Sequence, residues 1–477
     1  MTDKSNNNFW VLLVILSCIA VVIEYAETML FPAIPNIIDD FKIDYSTSSW
    51  ILSGYLITAA VMAPIAGKLS DTYGKKKILL IIMSIFIISI SAAGFSMNAS
   101  FLIACRIIQG IGLSMFIISL SILQSEVPKE KYALANGILA SLYFSGSSLG
   151  LIAGGSIIHI TDWTVTFFSL IPLLGILYIV IIKFLKVNEI KQRPIDIKLS
   201  DLNFHHHNTD NNPNNIEQDT NPFSLSKRRK IDIKGAFILA LGITFLLLAL
   251  SYLDTGDSSG SGITFSSISV FSAFLTISLT FIIAFVKVEK KSTDPIIDLK
   301  FISNGSIFPL LIIFLIMGFT MFMVYQTIPI LVRAPIPVGF DGTTLTSSIV
   351  LLPFTIIFLA LSPFVSKVIS KFGNLRPLIF ASIVSLIGFV SIYIFHANEF
   401  HVGINLGIIS TGLALINTIA MNIILLLTPK QFGGVVVGIV QVFTFTGMAL
   451  GPVISGLYMQ NFQRTIGRQS NRIDTID

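Results

Sequence analysis

Thirteen apolar runs of membrane-crossing length constrain this sequence more than any single motif. They fall at about 9–31, 47–66, 78–97, 101–124, 133–158, 163–185, 235–254, 263–286, 306–331, 344–366, 377–396, 402–427 and 433–459. Each is close to the ~20 residues an α-helix needs to cross about 30 Å of hydrocarbon. A helix satisfies its own backbone hydrogen bonds in lipid, so the runs predict an all-α integral membrane protein. Charged residues make up only 12% of the chain, against roughly 25% in a soluble domain. The first run follows a single basic residue, Lys4, and is too long for a cleaved leader, so it is read as a span.

The polar stretch 186–234 interrupts the pattern. It holds His205, His206 and His207, several asparagines, Pro213, Pro222 and the basic cluster Lys227-Arg228-Arg229-Lys230. Its composition predicts a disordered linker. No cysteine or carboxylate cage accompanies the histidines, so no metal site is expected. The expected organisation is an N-terminal bundle over 1–185, the linker over 186–234, two inserted helices over 235–286, and a C-terminal bundle with its tail over 287–477.

Placing the N-terminus in the cytoplasm and alternating sides puts 25 of the 31 lysines and arginines in inside segments. Outside segments then hold Lys42, Arg333 and three arginines of the polar tail, Arg464, Arg468 and Arg472; Arg106 lies within a span. This bias sets the orientation by the positive-inside rule, with the tail as its one exception. It also accounts for the net charge of +5 without nucleic acid as a partner. Cys18 and Cys105 both lie in apolar runs and predict no disulfide framework.

Two patterns recur at nearly one offset. Pro64, Lys68 and Gly74, in a basic stretch between spans 2 and 3, return as Pro363, Lys367 and Gly373, 299 residues later. In this second copy Asp71 is replaced by Ser370. A glycine ladder at Gly137, Gly146, Gly150, Gly154 and Gly155 returns 301 residues later as Gly438, Gly447, Gly451, Ser455 and Gly456, with Pro452 after Gly451. Such repeats predict two structurally equivalent halves, an architecture found in transporters.

The stretch Gly67 to Lys77 reads G-x-L-x-D-x-x-G-x-K-x and resembles the loop signature between helices 2 and 3 of the major facilitator superfamily. Thr72 stands where that signature has arginine. The stretch Arg106-Ile107-Ile108-Gln109-Gly110-Ile111-Gly112 and the glycine ladder of span 5 are similar to further motifs of that family. Leu151 stands where the ladder of the antiporters has proline. The extra central pair of spans resembles the fourteen-span drug–proton antiporter branch, and the fourteenth span is not found. The resemblance implies two six-helix-type bundles with two additional spans. It also implies that Gly67, Asp71, Gly74 and Lys75 form a conformational switch that latches the halves in one state.

Polar residues inside spans carry the remaining expectations. Glu24 and Glu27 are three residues apart, on one face of span 1. A charge at such a position costs about 2.5–3.5 kcal/mol by insertion scales and normally faces a bundle interior or a cavity. At 1.5 Å per residue both Glu27 and Arg106 lie roughly 10–12 Å below the outer ends of their spans. A pair of Arg106 with either glutamate is therefore geometrically possible: either Glu24 and Glu27 carry proton coupling with Arg106 tuning them, or they form a purely structural ion pair with it. The ladders should bring helices 5 and 13 close to partners in the opposite half, because small residues let backbones approach in lipid. Tyr325 and Gln326 in span 9, and Asn417 and Asn422 in span 12, are candidate substrate contacts or helix-to-helix hydrogen bonds.

No nucleophile–base set and no phosphate-binding loop occurs, so neither an enzyme nor direct ATP drive is expected. The expected function is secondary active transport, with a proton gradient in place of a cofactor, exporting small lipophilic or cationic compounds. The expected setting is the cell membrane, with lipid, protons and a small-molecule substrate as partners and the chain acting as a monomer. A solute symporter, or a transport-dead sensor docking partners through its basic linker, are the alternatives.

Overall fold

The computed structural model describes residues 2–187, 233–252, 265–291, 305–336, 338–361, 364–428 and 433–473. The linker with its histidine triplet and basic cluster, and Pro363 of the repeat, lie outside these described residues. All regular structure among the described residues is helical, and helix is found within each of the thirteen apolar runs. Eleven stretches are long and apolar enough to cross a membrane, and shorter apolar helical stretches lie at Ser145–Ile160 and Phe237–Leu250.

The first span is α1 (Thr2–Thr28), followed by a 3-10 turn at Phe31–Ala33 and the short α2 (Ile34–Phe41). The face at which α1 begins is called near, and the one at which it ends far. The next helices are α3 (Tyr45–Tyr73), α4 (Lys75–Gly94), α5 (Ala99–Gln109), α6 (Ser114–Glu126), α7 (Lys129–Ile160) and α8 (Trp163–Phe184). The central pair is α9 (Ile233–Tyr252) and α10 (Phe265–Lys291). The second half holds α11 (Phe308–Arg333), α12 (Thr344–Leu361), α13 (Val365–Phe372), α14 (Leu375–Ile394), α15 (Glu399–Leu426) and α16 (Gly433–Ile473).

Helix starts at the far face are capped by short polar side chains. Asp44, Asn98, Asp162 and Asn398 each accept from a backbone N–H in the first turn of α3, α5, α8 and α15, replacing bonds that a helix start lacks. At the near face lysines cap helix ends instead. Lys75 Nζ donates to the Ser121 carbonyl at 2.7 Å and Lys76 Nζ to the Ile182 carbonyl at 2.8 Å, cations against the negative ends of α6 and α8.

Three expectations change. The basic stretch 67–77 is not a loop: α3 continues through Tyr73, and Gly67 is inside it. The whole turn is made at Gly74, at φ +99° and ψ 128°, a region open to glycine alone. Its repeat partner Gly373 also has positive φ, +73°, so the two breaks correspond. Span 4 is broken by a 3-10 turn at Gly110–Leu113, because Gly110 lies against the Tyr55 carbonyl and Gly112 against the Phe86 ring with no room for a side chain. The polar tail extends α16 to Ile473, about 60 Å of helix at 1.5 Å per residue.

The ladders pack by a rule that the sequence did not separate. Gly146, Gly150 and Gly154 lie against the α1 backbone from Val21 to Met29, within the first half. Gly447 and Gly451 lie likewise against α11, within the second. Only the far-face rungs cross between halves: Gly155 meets Thr344 and Ser348 of α12, and Gly456 meets Tyr45 and Ser49 of α3. These partner pairs are themselves 299 residues apart, so the crossing is the same one made twice. Gly137 and Gly438, at the near ends, have nothing within 4 Å of a would-be Cβ, and the close approach expected there is absent. Pro452 sits buried inside α16.

The halves are stitched along the far side. Ser53 Oγ donates to the Ala449 carbonyl at 2.7 Å, Gln326 Nε2 to Ser48 Oγ at 3.3 Å, and Thr344 Oγ1 to Asn36 Oδ1 at 3.4 Å. The Gln460 amide accepts from Ser46 N at 3.2 Å and donates to Asp44 Oδ2 at 3.3 Å. Partial burial works against the Asp44 charge, but hydrogen bonds from Thr47 and Gln460 outweigh it and hold the carboxyl below its usual range. The central pair packs on itself, with α9 resting on α3 and α16.

Candidate functional site

Glu24, Glu27 and Thr28 share one face of α1, and all three are buried. The Ser147 hydroxyl of α7 donates to Glu24 Oε2 at 2.5 Å, the short end of the range for a hydroxyl on a carboxylate. Thr28 Oγ1 reaches back to the Glu24 carbonyl at 2.9 Å and across to the Ser147 carbonyl at 3.0 Å. Tyr143, one turn earlier on α7, and Glu27 are the other hydrogen-bonding neighbours of the Glu24 carboxyl. Gly146 makes this shell possible, since any side chain there would collide with the Val21 carbonyl and the Glu24 Cβ.

The glutamates face a cavity of about 40 Å³ between the halves, room for a few waters. Its opposite wall is Met321, Phe322 and Tyr325 of α11, Phe354, Thr355 and Phe358 of α12, and Met448 of α16. Phe31, fully buried in the turn after α1, stacks on Tyr325 with ring centres 4.3 Å apart. Phe322 and Phe354 meet the same tyrosine edge-on at 5.5 Å each, the geometries that aromatic quadrupoles favour. This cluster closes the far end of the cavity.

Arg106 turns away from the two glutamates. Among the described residues it makes no salt bridge with Glu24 or Glu27. Its Nε donates to the Ile51 carbonyl at 3.2 Å and its Nη1 to Gln109 Oε1 at 3.0 Å. The guanidinium lies 4.2 Å from the centre of the Tyr55 ring. The Arg106 side chain turns to α3. Arg106 Nη2 and the Tyr55 hydroxyl are buried with no hydrogen-bond partner, so this corner of the first half carries unused polar capacity beside the acids.

The other candidates divide. Tyr325 lines the cavity, whereas Gln326, on the next position of α11, is turned away and buried against Ser48. Asn422 Nδ2 donates to Asn374 Oδ1 at 3.1 Å, beside the start of α14, and Asn417 is half-buried away from the cavity. Neither asparagine is among the residues lining this cavity. Asp71, in the last turn of α3, accepts from Ser121 Oγ at 3.5 Å, beside the Lys75 bond to the same residue. These contacts join α3 and α4 to α6 within the first half.

Sequence reasoning missed Tyr143, Ser147, Thr28, Phe31 and Thr355. Thr28 was within reach of it, four residues from Glu24 on the same face. Ser147 lies between two ladder glycines, a position where a polar side chain is held against the neighbouring helix.

The two-halved helical fold, the mirrored ladder crossings and a cavity between the halves are joined by a match over most of the chain. The model of the Major Facilitator Superfamily matches residues 16–452. The chain belongs to the major facilitator superfamily. As a member it is a multi-pass membrane transporter. Among curated relatives, the uncharacterized MFS-type transporter YwoD of Bacillus subtilis (strain 168) is 22% identical over 90% of this chain and 86% of its own length. Multidrug resistance protein 3 of the same bacterium is 26% identical over 65% of this chain and 52% of its own. The MFS-type transporter pydD of an Acremonium species is 28% identical over 42% and 35%. The alignment thus spans about half of the second relative and a third of the last. Among solved structures, the human organic anion transporter MFSD10 (TETRAN) superposes with TM-score 0.59 at 13% identity, covering 95% of this chain and 94% of its own. The partially occluded, inward-open xylose transporter XylE from E. coli gives 0.55 at 12%, covering 95% and 99%. At these identities the likeness is one of fold.

Proposed function

We propose that this superfamily member is a secondary active transporter of the drug–proton antiporter kind, exporting small lipophilic or cationic compounds in exchange for protons. One observation carries this reading. Two carboxyl groups in hydrogen-bonding contact, Glu24 and Glu27, face a cavity whose opposite wall is aromatic and thioether. Two carboxylates held together away from water repel, and a shared proton relieves the repulsion. A cation entering the cavity relieves it as well, while the rings of Phe322, Tyr325 and Phe354 give its apolar part a surface. Proton and cation then compete for one charge, which is the logic of exchange. Arg106 and Tyr55 tune the pair from the neighbouring corner.

Alternating access follows from the seams. The far side is closed by Gly155, Gly456 and the Phe31 stack, while Gly137 and Gly438 make no comparably close approach among the described residues, which supports a state that exchanges with the near face. The lysine-rich near face is assigned to the cytoplasm by the positive-inside rule, which makes a cytoplasmic N-terminus and a cell-membrane setting part of this proposal. The similarity to Multidrug resistance protein 3 supports export. A relative named as a vacuolar membrane amino acid uptake transporter, fnx2 of Schizosaccharomyces pombe, keeps a solute transporter as the competing reading of the substrate class, with symport as the alternative coupling.

Everted membrane vesicles with a panel of cationic and neutral dyes, with pH gradients of both signs, test the proposal. Cationic dyes are expected to accumulate only when the vesicle interior is acidic. Accumulation with the opposite gradient would establish symport instead.

Asp71 is proposed to latch the near face rather than to bind substrate. Asp71→Asn is expected to slow exchange between the two facing states while leaving equilibrium dye binding largely unchanged. Lost affinity with normal exchange rates would rule the latch out.

A further inference from the structure

Ser147, which holds Glu24, is followed by a residue that reaches into the other half. Ser148, also buried, donates to Thr355 Oγ1 of α12 at 2.9 Å. Thr355 in turn bonds the Leu352 carbonyl of its own helix at 3.2 Å and lines the cavity. Two consecutive residues of one rigid helix therefore grip an acid on one side and the opposite half on the other. Gly146 and Gly150 bracket them and seat α7 on α1, so neither serine can move without moving the helix.

The internal repeat supplies a built-in comparison. At the offset of 301, Ser148 corresponds to Ala449, whose carbonyl accepts from Ser53 Oγ of α3. The second seam thus has a hydrogen bond of similar kind, but Ser147 corresponds there to Met448. One seam is tied to a carboxyl group, and the other is not.

We propose that Ser147 and Ser148 are positioning residues that carry the protonation state of Glu24 into the α7–α12 seam, with Thr355 as the receiver. A carboxylate draws the Ser147 hydroxyl toward it, whereas a protonated carboxyl weakens that hold. The resulting shift or rotation of α7 then changes the Ser148–Thr355 bond. The groups facing Glu24 are Glu27 on its own helix, Tyr143 of α7, Tyr55 of α3 and Tyr325 of α11, with Arg106 of α5 acting on Glu27. Ser148 spans the seam by a hydrogen bond. The inference rests on Glu24 being a proton site, and its test reads the seam directly.

Spin labels at T72C and K371C, one exposed near-face position in each half, report how far the halves part. They are placed in full-length protein lacking Cys18 and Cys105, in lipid nanodiscs titrated from acidic to alkaline pH. The ratio of near-open to near-closed conformers is expected to change with pH. Ser148→Ala and Thr355→Val should each shrink that change by about fivefold, the net worth of one hydrogen bond, and Thr355→Ser should restore it. Ser147→Ala should move the midpoint. Ser53→Ala, on the seam without an acid, should shift the ratio equally at every pH. If Ser148→Ala does not fold, as judged by its thermal transition, the Thr355→Val and Thr355→Ser pair decides alone. An unaltered pH response in the seam variants, a response equal to that of Ser53→Ala, or no pH response in the parent protein overturns the relay. A relay that behaves as expected in a protein without gradient-driven transport would refute antiport and leave the relay standing.

Discussion

Everted vesicles carrying Glu24→Gln/Glu27→Gln are expected to lose uphill accumulation of a cationic dye while still equilibrating it down its own gradient. One pH unit is worth 1.36 kcal/mol per proton. Each coupled proton therefore supports about tenfold accumulation per pH unit, which should fall to none in the double variant. The change is nearly isosteric, and Ser147 and Tyr143 can still bond a glutamine amide, so folding and the cavity shape should survive. Loss of drive with retained exchange is the signature of a coupling site, as opposed to a packing site. The single variants rank the two acids: Glu24, held by Ser147 and Tyr143, is expected to carry the larger share. Undiminished pH-driven uptake in the double variant would return both residues to a structural role.

The second large effect separates rungs of one ladder by what they touch. Gly155→Val and Gly456→Val place a side chain against the opposite half at the far seam, and they should obstruct closure there. Overpacking typically costs about 1–3 kcal/mol, which as a conformational bias is roughly 5- to 150-fold. A cysteine in the cavity, Met321→Cys, should then react that much faster with an impermeant reagent added outside intact cells. Gly150→Val collides with Thr28 and the Tyr25 backbone inside the first half, a clash present in both facing states. It should lower the thermal transition without raising external labelling. If Gly155→Val labelled like the parent and melted like Gly150→Val, the assignment of the far rungs to the seam would be wrong. Labelling that required access from the cytoplasmic side would reverse the orientation.

The sequence by itself determined the helices, their order and the division into halves. Spanning helices are set by length and hydropathy, which are local, and the halves by residues recurring at a constant offset. The Glu24–Glu27 face was legible for a similarly local reason: helical spacing puts residues three apart on one face. The extent of the α3 helix was not legible, because lysines at a helix end and lysines in a loop have the same composition. What the tertiary structure alone decided was the partner of each buried polar group. Counting along the spans allowed Arg106 to meet Glu27, yet the packing of α5 delivers the guanidinium to Ile51, Gln109 and Tyr55. Gly154 and Gly155 are neighbours in sequence, yet one meets its own half and the other the opposite half. In lipid no hydrophobic force prefers one apolar face over another. Rotation and tilt of each helix are set by close packing with its neighbours, and that information is spread over helices far apart in the chain.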